Sequence, residues 1–111
     1  MIVIHSTIPF AADSIEDARQ HVRDLVEASR REDGTVRYRA MADVEDPTTV
    51  RFFEQYEDED AWRAHTESDH YTAFVSALPD LVDGAMETIN FVEVDDPHVH
   101  EFGVDELAEG D

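Results

Sequence analysis

The stretch AWRAHTESDHYTAF, residues 61–74, gathers a tryptophan, two histidines, two further aromatic rings and a serine in a chain that is sparing with such groups. Imidazole titrates near neutrality, so His65 or His70 can act as a general base and take a phenolic proton from a dihydroxyaromatic substrate. Electron transfer from the resulting phenolate to dioxygen needs neither flavin nor metal, and the chain holds no G-x-G-x-x-G phosphate-binding turn. Trp62 lies three residues before His65 and so shares its helix face. Each residue also has a plainer use: Trp62 as a core anchor, and the histidines bonded to backbone at a helix break.

Metal chemistry is disfavoured by the same spacing. A zinc pair on a helix needs ligands at i and i+4 on one continuous face plus a third elsewhere, whereas His65 and His70 stand five apart across a break expected at residues 66–68. His98 and His100 are two apart, but in a weakly ordered segment that would hold an ion poorly. With no cysteine, thiolate nucleophiles, disulfides and cysteine-ligated clusters are excluded. No metal and no cofactor are expected.

The elements that must position these groups follow from periodicity. MIVIHSTIPF alternates as a strand, with Ile2, Ile4 and Ile8 on one face and His5 on the other; His5 is a candidate for lining a cleft. Residues 13–34 change to helical period, with Ile15, Ala18, Val22, Leu25, Val26 and Ser29 on one stripe, Asp13 or Ser14 as cap, and Gly34 after the end. TVRYRAMA and TVRFFEQYE alternate again and should pair antiparallel across DVEDPT. A short helix then starts near Asp58. A second starts at Ser68, with Tyr71, Phe74, Val75 and Leu78 on its apolar stripe, and AMETINFVEV closes the pattern as a fourth strand. The order β-α-β-β-α-β is the ferredoxin-like α+β arrangement, a four-stranded antiparallel sheet with helices on one face. Residues 1–94 form this domain, and residues 95–111 form an acidic C-terminal tail. The uncovered face carries apolar residues, which a homodimer packing sheet on sheet would bury.

Charge narrows the partners. Asp and Glu number 28 against 8 basic residues, all arginine, for a net charge of −20. The acids are spread along the whole chain, as on a salt-adapted protein whose self-repulsion is screened at high ionic strength. A domain that docks a basic protein is the alternative. Nucleic acid and anionic membrane are excluded as partners for want of a basic footprint. The start lacks a basic n-region and no apolar run nears membrane length, so a cytoplasmic location is expected.

LVEASRREDGTVRY, FFEQYEDEDAWRAH and SDHYTAF, in this order and spacing, resemble the antibiotic biosynthesis monooxygenase (ABM) family of dimeric α+β barrels, from about residue 1 to 94. The resemblance implies a homodimer with a pocket in each subunit between sheet and helices, and relatives that include cofactor-independent quinol and polyketide oxygenases and haem-degrading oxygenases. It implies a pocket shaped by Trp62, Tyr56 and Tyr38, with Tyr56 where the family commonly has Trp. Glu54 matches the family's phrase, and its plainer role is an ion pair with Arg37, Arg39 or Arg51. The haem-degrading pattern fails here: the first strand has no Asn, His65 takes the place of the branch's Trp, and Val75 that of its ligand. The polyketide branch's strand Asn is replaced by Phe52. The expectation is thus a cofactor-free monooxygenase acting on a quinol-like or other small aromatic ligand, with His65 or His70 as base. The alternative is a homodimer that binds a small ligand or serves stress response without catalysis.

Overall fold

The computed structural model describes residues 1–108. The order is β1 (Ile2–Pro9), a 3-10 turn (Ala12–Ser14), α1 (Ile15–Ser29), β2 (Thr35–Ala42), β3 (Thr49–Tyr56), α2 (Glu59–Thr66), α3 (Asp69–Ala77), a 3-10 turn (Leu78–Asp80), β4 (Glu87–Phe91) and α4 (Val104–Ala108). The four strands form one antiparallel sheet in the order β2-β3-β1-β4, with α1, α2 and α3 on one face, the ferredoxin-like arrangement. The expected tail thus carries one short helix, and its last residues, 109–111, lie outside the described residues.

Register explains which side chains reach the helices. Tyr38 pairs with Glu54, Glu54 with Ile4, and Ile4 with Asn90, so one rung crosses the whole sheet on its inner face. The next rung is Ala40, Phe52, Ser6 and Thr88. A bulge in β2 sets this alignment. Thr35 pairs with Tyr56 but Arg37 with Gln55, and the extra residue turns Tyr38 inward and Arg37 out.

The apolar core is divided. Phe10, Val22, Leu25, Val50, Phe52, Phe74 and Leu81 belong to the larger cluster, and Ile2, Ile4 and Tyr56, packed on Ala61 and Trp62, make a smaller one. The α1 stripe buries Ala18, Val22, Leu25 and Ser29 as its period requires. Its start differs from expectation: neither Asp13 nor Ser14 caps it through a side chain, because the 3-10 turn leads directly into the first helical turn. Val75 also differs, being 42% exposed, since only Phe74 of the short α3 is turned fully to the core.

Candidate active site

The break between α2 and α3 places the chemistry. Asp58 caps α2 by accepting from the Ala61 N–H at 2.8 Å, and Ser68 caps α3 by accepting from the Tyr71 N–H at 3.2 Å. The Ser68 hydroxyl also donates to the His65 carbonyl at 2.6 Å, fixing the last turn of α2. At the sheet end, Gly34 lets the loop after α1 lie against α2: a Cβ there would stand 2.3 Å from that of Ala61. Glu32, two residues earlier, is thereby set against both helices.

Its carboxylate collects the two histidines. His65 Nδ1 lies 3.1 and 3.0 Å from the two Glu32 oxygens, and His70 Nε2 lies 2.5 Å from one of them. The Thr35 hydroxyl donates to Glu32 at 2.8 Å. The helical spacing that set His65 and His70 apart therefore misleads, because the break folds α3 back and brings both rings onto one carboxylate. Glu32, His65 and His70 each place a donor atom within 4.8 Å of the others, a set that divalent transition ions use. The contacts are of hydrogen-bond length, and metal bonds of about 2.0–2.2 Å would require the three donors to regroup around the ion.

A carboxylate only accepts, so Nδ1 of His65 carries the proton and Nε2 keeps its lone pair. That Nε2 is buried and has no hydrogen-bond partner among the described residues; Glu54 Oε1 is 4.0 Å away, beyond bonding range. His65 is 1% exposed, and burial, with the His70 charge adding to it, holds the imidazole below its ordinary 6.5 against the bond and charge of Glu32. Glu54 is 8% exposed and receives the Tyr56 hydroxyl at 2.5 Å. Its burial outweighs that bond, and with the nearby Glu32 charge pushes the carboxyl up to about 7. Burial and then the Glu54 charge raise the hydroxyls of Tyr38, Tyr56 and Tyr71, which therefore stay protonated.

These groups border a cavity of about 230 Å³ between sheet and helices. Trp62, Phe52, Phe74, Tyr38 and Tyr71 give it aromatic walls; Glu54 and His65 stand at one side, and Ser6, Thr88 and Asn90 come from β1 and β4. The Ser6 hydroxyl donates to Thr88 at 3.2 Å, and Thr88 to the Asn90 carbonyl oxygen at 3.0 Å, which leaves the Asn90 amide N–H groups for a guest.

The anticipated residues are thus sorted by place. Trp62, Tyr38 and His65 line the cavity. Tyr56 is fully buried behind Glu54 and touches the cavity only through it. His70 stands outside the wall and reaches it through Glu32. His5 is misplaced by the expectation that it lines the cleft: it alternates with the buried Ile4 and pairs with Phe53 and Ile89 on the other face of the sheet. The ion pair expected for Glu54 is likewise absent among the described residues, because Arg37, Arg39 and Arg51 project from that same outer face; Arg37 bonds Gln55, and Arg51 bonds Asp43 and Thr7. Tyr71, expected only on the core stripe of α3, also lines the cavity, and Glu32 and Asn90 went unnoticed. Glu32 sits 33 residues from its partner in an ordinary acidic loop, and Asn90 is one polar residue on an exposed edge strand.

Fold and cavity together define a class. The sequence pattern of the antibiotic biosynthesis monooxygenase (ABM) family matches residues 1–77, and the chain belongs to that family. Among its relatives, "Putative monooxygenase YcnE" of Bacillus subtilis is 27% identical over 89 residues, covering 80% of this chain and 94% of that protein. Two solved structures share the fold: Rv0793 from Mycobacterium tuberculosis, with a TM-score of 0.80 at 18% identity over 87% of this chain and 98% of that one, and PA3566 from Pseudomonas aeruginosa, with a TM-score of 0.77 at 23% identity over 85% and 94%.

Proposed function

We propose that the protein is a cofactor-independent monooxygenase that oxidises a small electron-rich aromatic, of the quinol type, with dioxygen. One observation carries the reading: His65 lines an aromatic pocket, and its Nε2 is shielded from water and has no hydrogen-bond partner among the described residues. Family membership supports it. A single ring stacks between Trp62, Phe52 and Tyr71 with one hydroxyl at His65 Nε2 and a second oxygen toward Asn90. His65 takes the phenolic proton, and Glu32 stabilises the imidazolium that forms. The electron-rich phenolate then reduces dioxygen. For a hydroquinone the balance closes with a 2-hydroxyquinone and water: the ring gives up four electrons, one oxygen atom replaces a ring hydrogen, and the other leaves as water. The Glu54 carboxyl, uncharged below about pH 7, donates a proton to the reduced oxygen. The protein works as a homodimer through the outer sheet face, where Phe91 and Ile89 are exposed.

An oxygen electrode with a panel of hydroquinones, at molar and at low salt, tests the reading. Uptake well above the uncatalysed rate for the wild type, lost in His65→Ala, is expected. Wild-type uptake equal to the uncatalysed rate on every member, with binding of the same rings retained, would leave only the non-catalytic ligand-binding dimer.

A further inference from the structure

A second concavity lies outside the cavity chemistry. Between α1 and the edge strand β2 runs a groove of about 680 Å³ with Val26 and Ala40 in its apolar floor, the outward-alternating Met41 on its rim, and Arg19, Arg23, Arg30 and Arg31 around it. Half of the eight basic residues of a chain with net charge −20 therefore border one groove. Arg31 is paired with Glu27, and Arg30 donates to the Tyr38 carbonyl. Arg19 and Arg23 have no ion pair among the described residues, although they are i and i+4 on α1 and repel one another. An apolar floor framed by unpaired cations selects an acidic, amphipathic occupant.

The chain itself contains such a segment. Residues 99–107 hold Glu101, Asp105 and Glu106 with no basic residue except His100, and expose Phe102, Val104 and Leu107, Val104 by 79%. Val104 and Leu107 lie three apart on α4 and present one apolar face. The segment does not fill its own groove. Val99 and Glu101 lie against the outer sheet face beside Arg37 and Arg39, and Val104 and Leu107 of α4 remain exposed. The radius of gyration, 15.9 Å, exceeds the roughly 13 Å of a compact chain near this length, as a projecting arm requires.

We propose that α4 and the residues before it dock into the arginine-framed groove of a second copy of the chain, Val104 against Val26 and Ala40, Leu107 at the Met41 rim, and Asp105 and Glu106 against Arg19 and Arg23. The exchange joins two copies by a contact separate from the outer sheet faces and independent of the chemistry at His65.

The absence of native cysteine makes the test clean. Full-length Met41→Cys and Leu107→Cys chains, both substituted at exposed positions, are mixed and mildly oxidised. The expected result is a covalent pair of twice the chain mass whose linked peptides join positions 41 and 107, reduced at least tenfold when the Met41→Cys chain also carries Arg19→Glu and Arg23→Glu. A mixed yield no higher than with Val44→Cys in place of Met41→Cys would overturn the proposal. So would a Met41→Cys, Leu107→Cys double variant that closes its disulfide within one chain, since the arm would then serve its own groove.

Discussion

The two faces of β3 treat charge in opposite ways. On the outer face Arg51 lies with Asp43 and Thr7, both charges partly open to water, and Arg37 donates to the buried but uncharged Gln55. On the inner face Glu54 and His65 are buried with no arginine paired to them among the described residues, and the polar groups that meet them are Tyr56, Glu32 and one another. Exposed pairs of the first kind contribute little to stability, whereas burying ionisable groups is costly and shifts their protonation even where each keeps a hydrogen-bond partner. A residue set kept in the second condition inside a cavity fits a site that moves protons better than one that serves the fold.

The contrast can be broken most forcefully at His65. His65→Ala should lower oxygen uptake by roughly 10²–10⁴-fold, the usual worth of a positioned base, with the melting temperature recorded alongside to separate chemistry from folding. Next comes Glu54. Between about pH 4.5, its ordinary value, and about pH 7, the folded protein holds a proton that the unfolded chain has released, so stability falls as pH rises through that window. His65 acts in the other sense, since below 6.5 the unfolded chain takes up a proton that the folded ring resists. Glu54→Gln should remove the first effect alone and leave the variant more stable than wild type above pH 7, by on the order of 3 kcal/mol, read from denaturant midpoints at pH 4.5 and 8.

Smaller effects sharpen the picture. Gly34→Ala should cost about 1–3 kcal/mol as the new methyl group pushes α2 from the loop, and oxygen uptake should fall with it because Glu32 and His65 separate. Asp58→Ala should cost about 1 kcal/mol through loss of the α2 cap. Arg51→Ala, on the outer face, should leave oxygen uptake unchanged.

Most of the fold was legible because period and punctuation agree. The alternation of β1, the stripe of α1 and the caps at Asp58 and Ser68 are local signals, and each produced the expected element. The site was legible only in part. Trp62 and His65 follow from a helix face, but the meeting of His65 with His70 depends on the angle at the break, and Glu32 reaches them through a glycine contact that no short-range pattern reports. Alternation alone would have sent His5 and the three arginines away from the cleft, since each sits one residue from a side chain that faces it.

Proton abstraction by His65 depends on which of its nitrogens carries the proton at rest, and ¹⁵N NMR of the 12.6 kDa chain at pH 7 reads this directly. The expected spectrum shows a protonated Nδ1 held by Glu32 and a bare, pyridine-type Nε2 whose signal moves when a hydroquinone is added without oxygen. A protonated Nε2, or a doubly protonated ring at that pH, would contradict it.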